Sequence, residues 1–371
     1  MSTAFANAPL IAALREPTST RDLSPRQWND LLLRAREQGL LARLSVHLAD
    51  RGLLSAAPAK AQAHMHAACI AVASSHTAVR FELNRVLRAL TGVDAPIILL
   101  KGAAYLMAAL PASRGRWVGD LDLMIPRGHL DEVERALMAK GWSPGEIDQY
   151  DQHYYRQWMH EIPPLQHPQR ETPVDLHHTI APLTSKVRPD ADALLASSIA
   201  LANPRLRVLG PADMVLHSTV HLFNDVVGKP LRDLFDLHDL LCHFSQRAGF
   251  WDELLARAEL HRLGRPLHYM LRHTGRLLGT PIPAEVQRAA QAYAPAAWLA
   301  PIMDGLFAAQ LLPRSSSRQG ARVTLALWLL YLRTHWLRMP APMLVRHLAI
   351  KAARRLRERF ERKPKADEQA A

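Results

Sequence analysis

Cysteine is nearly absent from this chain: Cys69 and Cys242 are the two it has among 371 residues, and neither sits in a Cys-x-x-Cys pair. That excludes a zinc ribbon and a disulfide framework, and unpaired thiols fit a reducing compartment. Long apolar runs are lacking as well. The longest, Val323 to Leu332, has ten residues and ends at Arg333, whereas a membrane span needs about 20. The N-terminus shows no basic stretch followed by an apolar one, so no secretory signal is expected. These absences predict a cytoplasmic protein with no membrane span. Aromatic residues are scarce, at 6%, while alanine, leucine and arginine abound, a bias towards helix. No fixed-period repeat is visible, which excludes a solenoid.

What is present is enough apolar residue, 49%, to bury a sizeable interior. The length favours two domains over one. The net charge of +12 is unevenly spread: nine Lys or Arg against Glu358 and Glu361 give the segment from Arg346 to Lys365 a local +7. A uniformly basic chain would point to nucleic acid; a basic end points there less strongly and is equally a solvated helix and tail.

Residues 10 to 90 read as helices. Ser24-Pro25-Arg26-Gln27 combines an N-cap, a first-turn proline and a glutamine at the third position, ahead of Trp28, Leu31, Leu32 and Ala35. Gly39 and Gly52 close two helices, and Pro58 opens a longer one. His64, His66 and His76 lie on it without metal-ligand spacing. Pro96 to Leu100 is a short, continuously apolar run bounded by turn residues, so a buried strand. Lys101-Gly102 follows, then a helix from Ala103 to Leu110, a loop with Arg114 and Arg116, and a second strand from Asp120 to Ile125. Gly128 to Lys140 reads as an amphipathic helix. An aromatic, His-rich stretch from Tyr150 to Ile162 reads as strand-like, and Val174 to His177 as a third strand. Residues 101–178 form the one mixed α/β region expected. After Pro189 helices resume, with Asp213 as the cap of Met214 to Phe223; further helices span 231–244, 251–263, 267–278, 323–339 and 343–361. A serine-rich connection is expected at 314–320.

The fold class predicted is α+β: a small mixed-sheet core at 91–182, an N-terminal helical segment at 1–90, a C-terminal helical domain at 183–345, and a basic helix and tail at 346–371.

Alternate side chains of a strand share a face, so Asp120, Asp122 and Met124 point one way and Leu121, Leu123 and Ile125 the other. Two adjacent carboxylates repel unless a cation sits between them. Mg²⁺ is the natural occupant, with Mn²⁺ as the alternative: hard, oxygen-liganded, and held by one or two carboxylates plus substrate phosphates. The bland alternative is a strand with two solvated acids. Three features weigh against it. Gly102, at a strand end, lets backbone approach a phosphate. Asp175 supplies a third carboxylate from a neighbouring strand, with His177 on its face. Arg116 precedes Asp120 by four residues, close enough to neutralise phosphate or brace the acids. Two acids on the nucleotide-bound metal, and a third that serves a second metal and takes the acceptor proton, suit two-metal phosphoryl transfer.

Leu99-Leu100-Lys101-Gly102, then Arg116, then Gly119-Asp120-Leu121-Asp122-Leu123-Met124-Ile125-Pro126, then Val174-Asp175-Leu176-His177-His178 resembles the uncharacterised bacterial nucleotidyltransferase family of the polymerase-beta-like superfamily. The likeness extends through 213–221 and 231–237 into that family's helical half. Where the wider superfamily has a serine or glycine after the first glycine, Ala103 stands here, so Lys101 and backbone N–H groups would hold phosphate. The resemblance implies transfer of a nucleoside monophosphate from an NTP such as ATP to an acceptor, with release of pyrophosphate. It also implies that the acceptor is a peptide, sugar or small molecule. Two rivals differ in class: a toxin-like transferase acting on tRNA through the basic end, and a non-catalytic nucleotide-binding module.

Secondary candidates are weaker. His217 and His221 share a helix face with Asp213 but lack a third zinc ligand, so they line or pack a cleft. Lys229 and Arg232 can reach a triphosphate, braced by Asp233 and Asp236, or belong to an ordinary charged face. Tyr154, Tyr155 and Trp158 can stack a base or pack a hairpin.

Overall fold

The computed structural model describes residues 9–145, 148–225, 228–313 and 320–346. The chain opens with helices α1 (Pro9–Arg15), α2 (Pro25–Glu37), α3 (Leu41–Ala49) and the 31-residue α4 (Ala59–Ala89). The expected start of α2 is present: Gln27 N–H donates to Ser24 Oγ (3.4 Å), and Ser24 N–H donates back to Gln27 Oε1 (2.9 Å). Strand β1 (Ile97–Leu99) is wholly buried and leads into the short α5 (Lys101–Met107). Then follow β2 (Leu121–Met124), α6 (Leu130–Met138), β3 (Ser143–Pro144), α7 (Gln149–Trp158), β4 (Leu165–Gln166) and β5 (Val174–His177). After α8 (Ala191–Ala196) come β6 (Ile199–Ala200) and β7 (Leu206–Val208). Helices α9 (Pro211–Asn224), α10 (Pro230–Phe244), α11 (Phe250–Leu260), α12 (Gly264–Leu278), α13 (Ala284–Gln291), α14 (Ala300–Leu311) and α15 (Ala321–Arg338) complete the described chain.

The strands form one mixed seven-stranded sheet of order β3-β4-β5-β2-β1-β7-β6. Helices flank it on both sides in sequence, so the α+β architecture expected is the one observed. Its centre carries the chemistry. β2 lies antiparallel to β1 and parallel to β5, with Asp122 opposite Asp175 and Met124 opposite His177. Both faces of β2 are buried, Leu121, Leu123 and Met124 completely, as central strands of a covered sheet require.

Several local expectations need correction. The sheet does not end at residue 178: β7 pairs in parallel with β1, Ile98 opposite Arg207, and β6 closes the edge. Residues 149–158 are helix, not strand-like; Arg156 reaches back with two bonds to Glu134 (2.9 and 2.7 Å), tying α7 to α6. Asp213 does not cap α9, whose N-cap is Gly210; its carboxylate instead accepts from Arg257 Nε (2.7 Å) and Ser197 Oγ (2.6 Å). Helices resume after Pro189 with α8, as expected, while α13 and α14 are additional. Residues 314–319, and the basic segment beyond residue 346 with most of its expected helix, lie outside the described residues.

One continuous apolar core runs from Leu10 to Leu330 through all three segments. Polar ties cross it too. Asp236 of α10 accepts from Arg43 of α3 (2.9 Å) and from Arg116 before β2 (2.7 Å), all three side chains buried. Arg43 also bonds the carbonyls of Ala112 and Arg114 (the latter 3.1 Å). Gly115 makes that approach possible: at φ +71, its missing Cβ would stand 2.7 Å from the Arg43 backbone. Among the described residues no helix is long and apolar enough to cross a membrane.

Candidate active site

The site starts where β1 ends. Leu100 N–H donates to the Asp122 carbonyl (3.0 Å), and the chain then turns at Lys101 with φ +44, a conformation an L side chain adopts at a cost. The turn aims the lysine ammonium at β2, where Lys101 Nζ donates to Asp122 Oδ1 at 2.9 Å. His177 Nε2 lies 2.9 Å from the same oxygen. Asp122 is thereby a fully buried carboxylate with two polar partners. Burying it costs several kcal/mol, and two charge-assisted hydrogen bonds of about 1.5–3 kcal/mol each are needed to offset that. Burial alone would raise its pKa; Lys101 and His177 outweigh burial and hold it well below the usual range.

The parallel register of β2 and β5 brings Asp175 beside Asp122, and Asp120 enters from the residue before β2. One carboxylate oxygen from each of the three lies within 4.8 Å of the others. Asp120 is exposed, and the neighbouring Asp122 charge, then loss of water, raises its pKa. Asp175 is pushed up to about 7, first by burial and then by the Asp122 charge. Its Oδ1 is buried and has no hydrogen-bond partner among the described residues. An orphaned carboxylate oxygen beside two more carboxylates is a donor set that fits a hard divalent cation.

The walls are basic and imidazole-rich. Desolvation would lower the Lys101 pKa, but Asp122, then Asp120 and Glu161, hold it above its usual value. His217 of α9 is buried, and desolvation first, then the Lys101 charge, hold its pKa well below the usual value. His221 instead faces Asp225 (3.5 Å) and Asp233 (4.0 Å), so Asp213, His217 and His221 do not converge. Arg232 is held by Asp233 (2.8 and 2.6 Å), and its charge reaches Asp120. Lys229 packs over Gly39 and lines a different cavity, with Arg36, His64 and Trp117.

Two expected phosphate contacts have other partners. Arg116 is buried on Asp236 and over the Tyr105 ring, 5.5 Å from its centroid. The space at Gly102 is filled by Arg116: an added Cβ would stand 2.3 Å from Nη1. Gly102 admits a structural arginine where backbone approach to a ligand had been expected. Tyr154 and Trp158 of α7 pack edge to face, 5.9 Å between centroids. The sequence reading passed over His160 and Glu161, which stand beside His177; two adjacent residues in a His-rich loop gave no signal until the fold paired them. It also passed over Arg43 and Trp117, the latter 46% exposed against Gly119.

Three carboxylates at the centre of a helix-flanked mixed sheet, with a lysine at their edge, are the donors of enzymes that hold a cation against phosphate. The family comparison makes the class specific. The model of the uncharacterised nucleotidyltransferase family matches residues 24–279, and the chain belongs to that family, which makes it a transferase. No curated protein and no solved structure matches it.

Proposed function

We propose that the protein transfers a nucleoside monophosphate from an NTP to a hydroxyl-bearing peptide, sugar or small molecule, releasing pyrophosphate, with Mg²⁺ or Mn²⁺ held by Asp120, Asp122 and Asp175. The observation that carries this reading is the three-carboxylate cluster with its unpartnered Asp175 oxygen. When bound, the cation would neutralise charge building on the phosphate oxygens.

The remaining roles belong to this chain's own side chains. Asp122, kept ionised by Lys101 and His177, is a fixed anchor. Asp175, whose buried Oδ1 has no hydrogen-bond partner among the described residues, is the residue suited to take the acceptor proton. Lys101, which donates to Asp122, and Arg232, whose charge reaches Asp120, are the cations that serve the triphosphate. His177 positions Asp122, while Arg116 fixes the loop before β2 through Asp236. A base of this kind has no use in a module that only binds nucleotide, which favours turnover.

Intact-mass analysis of candidate acceptors incubated with each NTP and Mg²⁺ tests the proposal. The expected result is one product heavier by a single nucleoside monophosphate, with an equal amount of pyrophosphate. Mg²⁺-dependent NTP binding without any mass increment across acceptor classes would contradict it.

A further inference from the structure

The segment after α7 runs back along β5. Ile162 N–H donates to the Leu176 carbonyl (3.0 Å) and His178 N–H to the His160 carbonyl (2.9 Å), so Glu161 and His177 form an antiparallel pair between these bonds. Side chains of such a non-hydrogen-bonded pair approach more closely than those of its neighbours. Glu161 Oε2 lies 3.4 Å from His177 Nδ1 and 3.8 Å from His160 Nε2, and the two rings are 5.2 Å apart. Ordinary N–H···O bonds span about 2.7–3.2 Å, so these atoms face one another without bonding.

His177 is fully buried, yet its Nδ1 has no hydrogen-bond partner among the described residues. Leaving such an atom unmet costs about 1–3 kcal/mol. The other His177 nitrogen is already committed, with Nε2 2.9 Å from Asp122 Oδ1. A cation taking the place of a proton on Nδ1 would leave Nε2 the donor to Asp122 and would face Glu161. Carboxylate, imidazole and then metal is the order in which metal-binding histidines are usually braced. Tetrahedral ligands bonded at about 2.0–2.1 Å stand about 3.4 Å apart, which the Glu161–His177 separation of 3.4 Å matches and the Glu161–His160 separation of 3.8 Å slightly exceeds.

We propose that His160, Glu161 and His177 form a second cation site, for a divalent transition metal of the zinc type, next to the three-carboxylate site and joined to it by the His177–Asp122 contact. Two imidazole nitrogens and one carboxylate leave a fourth position for water or a substrate oxygen. Nitrogen donors select zinc-like ions over Mg²⁺, so the two neighbouring sites differ in the ion they take. A cation on Nδ1 locks His177 as a donor to Asp122, and so fixes the acid that faces Asp175. This site does not depend on the transferase reading, because its test reads metal content and not transfer.

The full-length protein, stripped with a chelator, is dialysed against Zn²⁺ with Mg²⁺ in excess, and bound metal is measured by elemental mass spectrometry. The expected result is one zinc per chain. Zinc affinity should fall at least about tenfold in His160→Gln and in Glu161→Gln, and stay within about twofold of wild type in Asp120→Asn. Should a variant fail to fold by circular dichroism, Co²⁺ bound to the unaltered protein gives the same answer. Its visible bands should be those of four- or five-coordinate cobalt with nitrogen ligands, displaced by Zn²⁺ and not by Mg²⁺. Equal zinc affinity in folded variants, or six-coordinate, all-oxygen cobalt in the unaltered protein, would overturn the site.

Discussion

Lys101 sets two energies against each other at one residue. Its left-handed backbone costs about 1–2 kcal/mol, a cost glycine would avoid. Its ammonium, however, neutralises buried Asp122, and removing one partner of a buried pair costs about 3–5 kcal/mol. The second term is larger. Lys101→Gly should therefore lose about 2 kcal/mol of stability in urea denaturation despite the relaxed backbone. A variant as stable as wild type would mean that the pair contributes less than the strain. Gly115 presents the simpler case. Its positive φ and the Arg43 backbone 2.7 Å from the site of a Cβ act in the same direction. Gly115→Ala should lower the melting temperature by more than the few degrees expected of about 1 kcal/mol.

At the scale of elements, Asp236 joins α3, α10 and the loop before β2 through two buried arginines. Asp236→Ala should cost about 3–5 kcal/mol, since it strands both charges, though Asp239, 3.1 Å from Arg43, softens the loss. The measurement is guanidinium unfolding, and a change under about 1 kcal/mol would refute the role of the pair as a brace. Elements also decide how much of the fold could be read from sequence. β1, β2 and β5 were legible because each is an apolar or alternating run closed by proline or glycine. β6 and β7, of two and three residues, are too short to show a period, and only pairing with β1 gives them a place. α7 was misread because its tyrosines favour strand, while its bonds to Glu134 are tertiary and invisible in a local pattern. The candidate site divides in the same way. Asp120, Asp122 and Asp175 announced themselves by alternation and by a third acidic strand. Arg116 and Gly102 were noticed for their residue type, yet the fold directs them to each other and to Asp236. Glu161 acquired a setting only when the chain folded back along β5.

For the whole molecule, the helical half carries a pH dependence of its own. Burial holds His273 of α12 and His238 of α10 down to a pKa of about 4, against 6.5 for a free imidazole. The unfolded chain takes these protons near pH 6.5 and the folded chain only near 4. Stability is therefore full above pH 6.5, falls as the pH drops through that window and levels off below 4. His273 alone should contribute a loss of about 2 kcal/mol at pH 5. His273→Leu should flatten that part of the profile of melting temperature against pH, and an unchanged profile would exclude His273 as its source.

The central claim is that three acids at the heart of the sheet serve nucleotidyl transfer. Asp120 is the acid best suited to testing it, because it is exposed and its loss leaves the buried Lys101–Asp122–His177 contacts in place. The direct measurement follows label from α-phosphate-labelled NTPs into acceptors of a cell extract, comparing the unaltered protein with a folded Asp120→Asn variant. The prediction is Mg²⁺-dependent labelling that falls at least about 100-fold in the variant, a loss of transition-state stabilisation of about 2.7 kcal/mol. Undiminished labelling by the folded variant would contradict it.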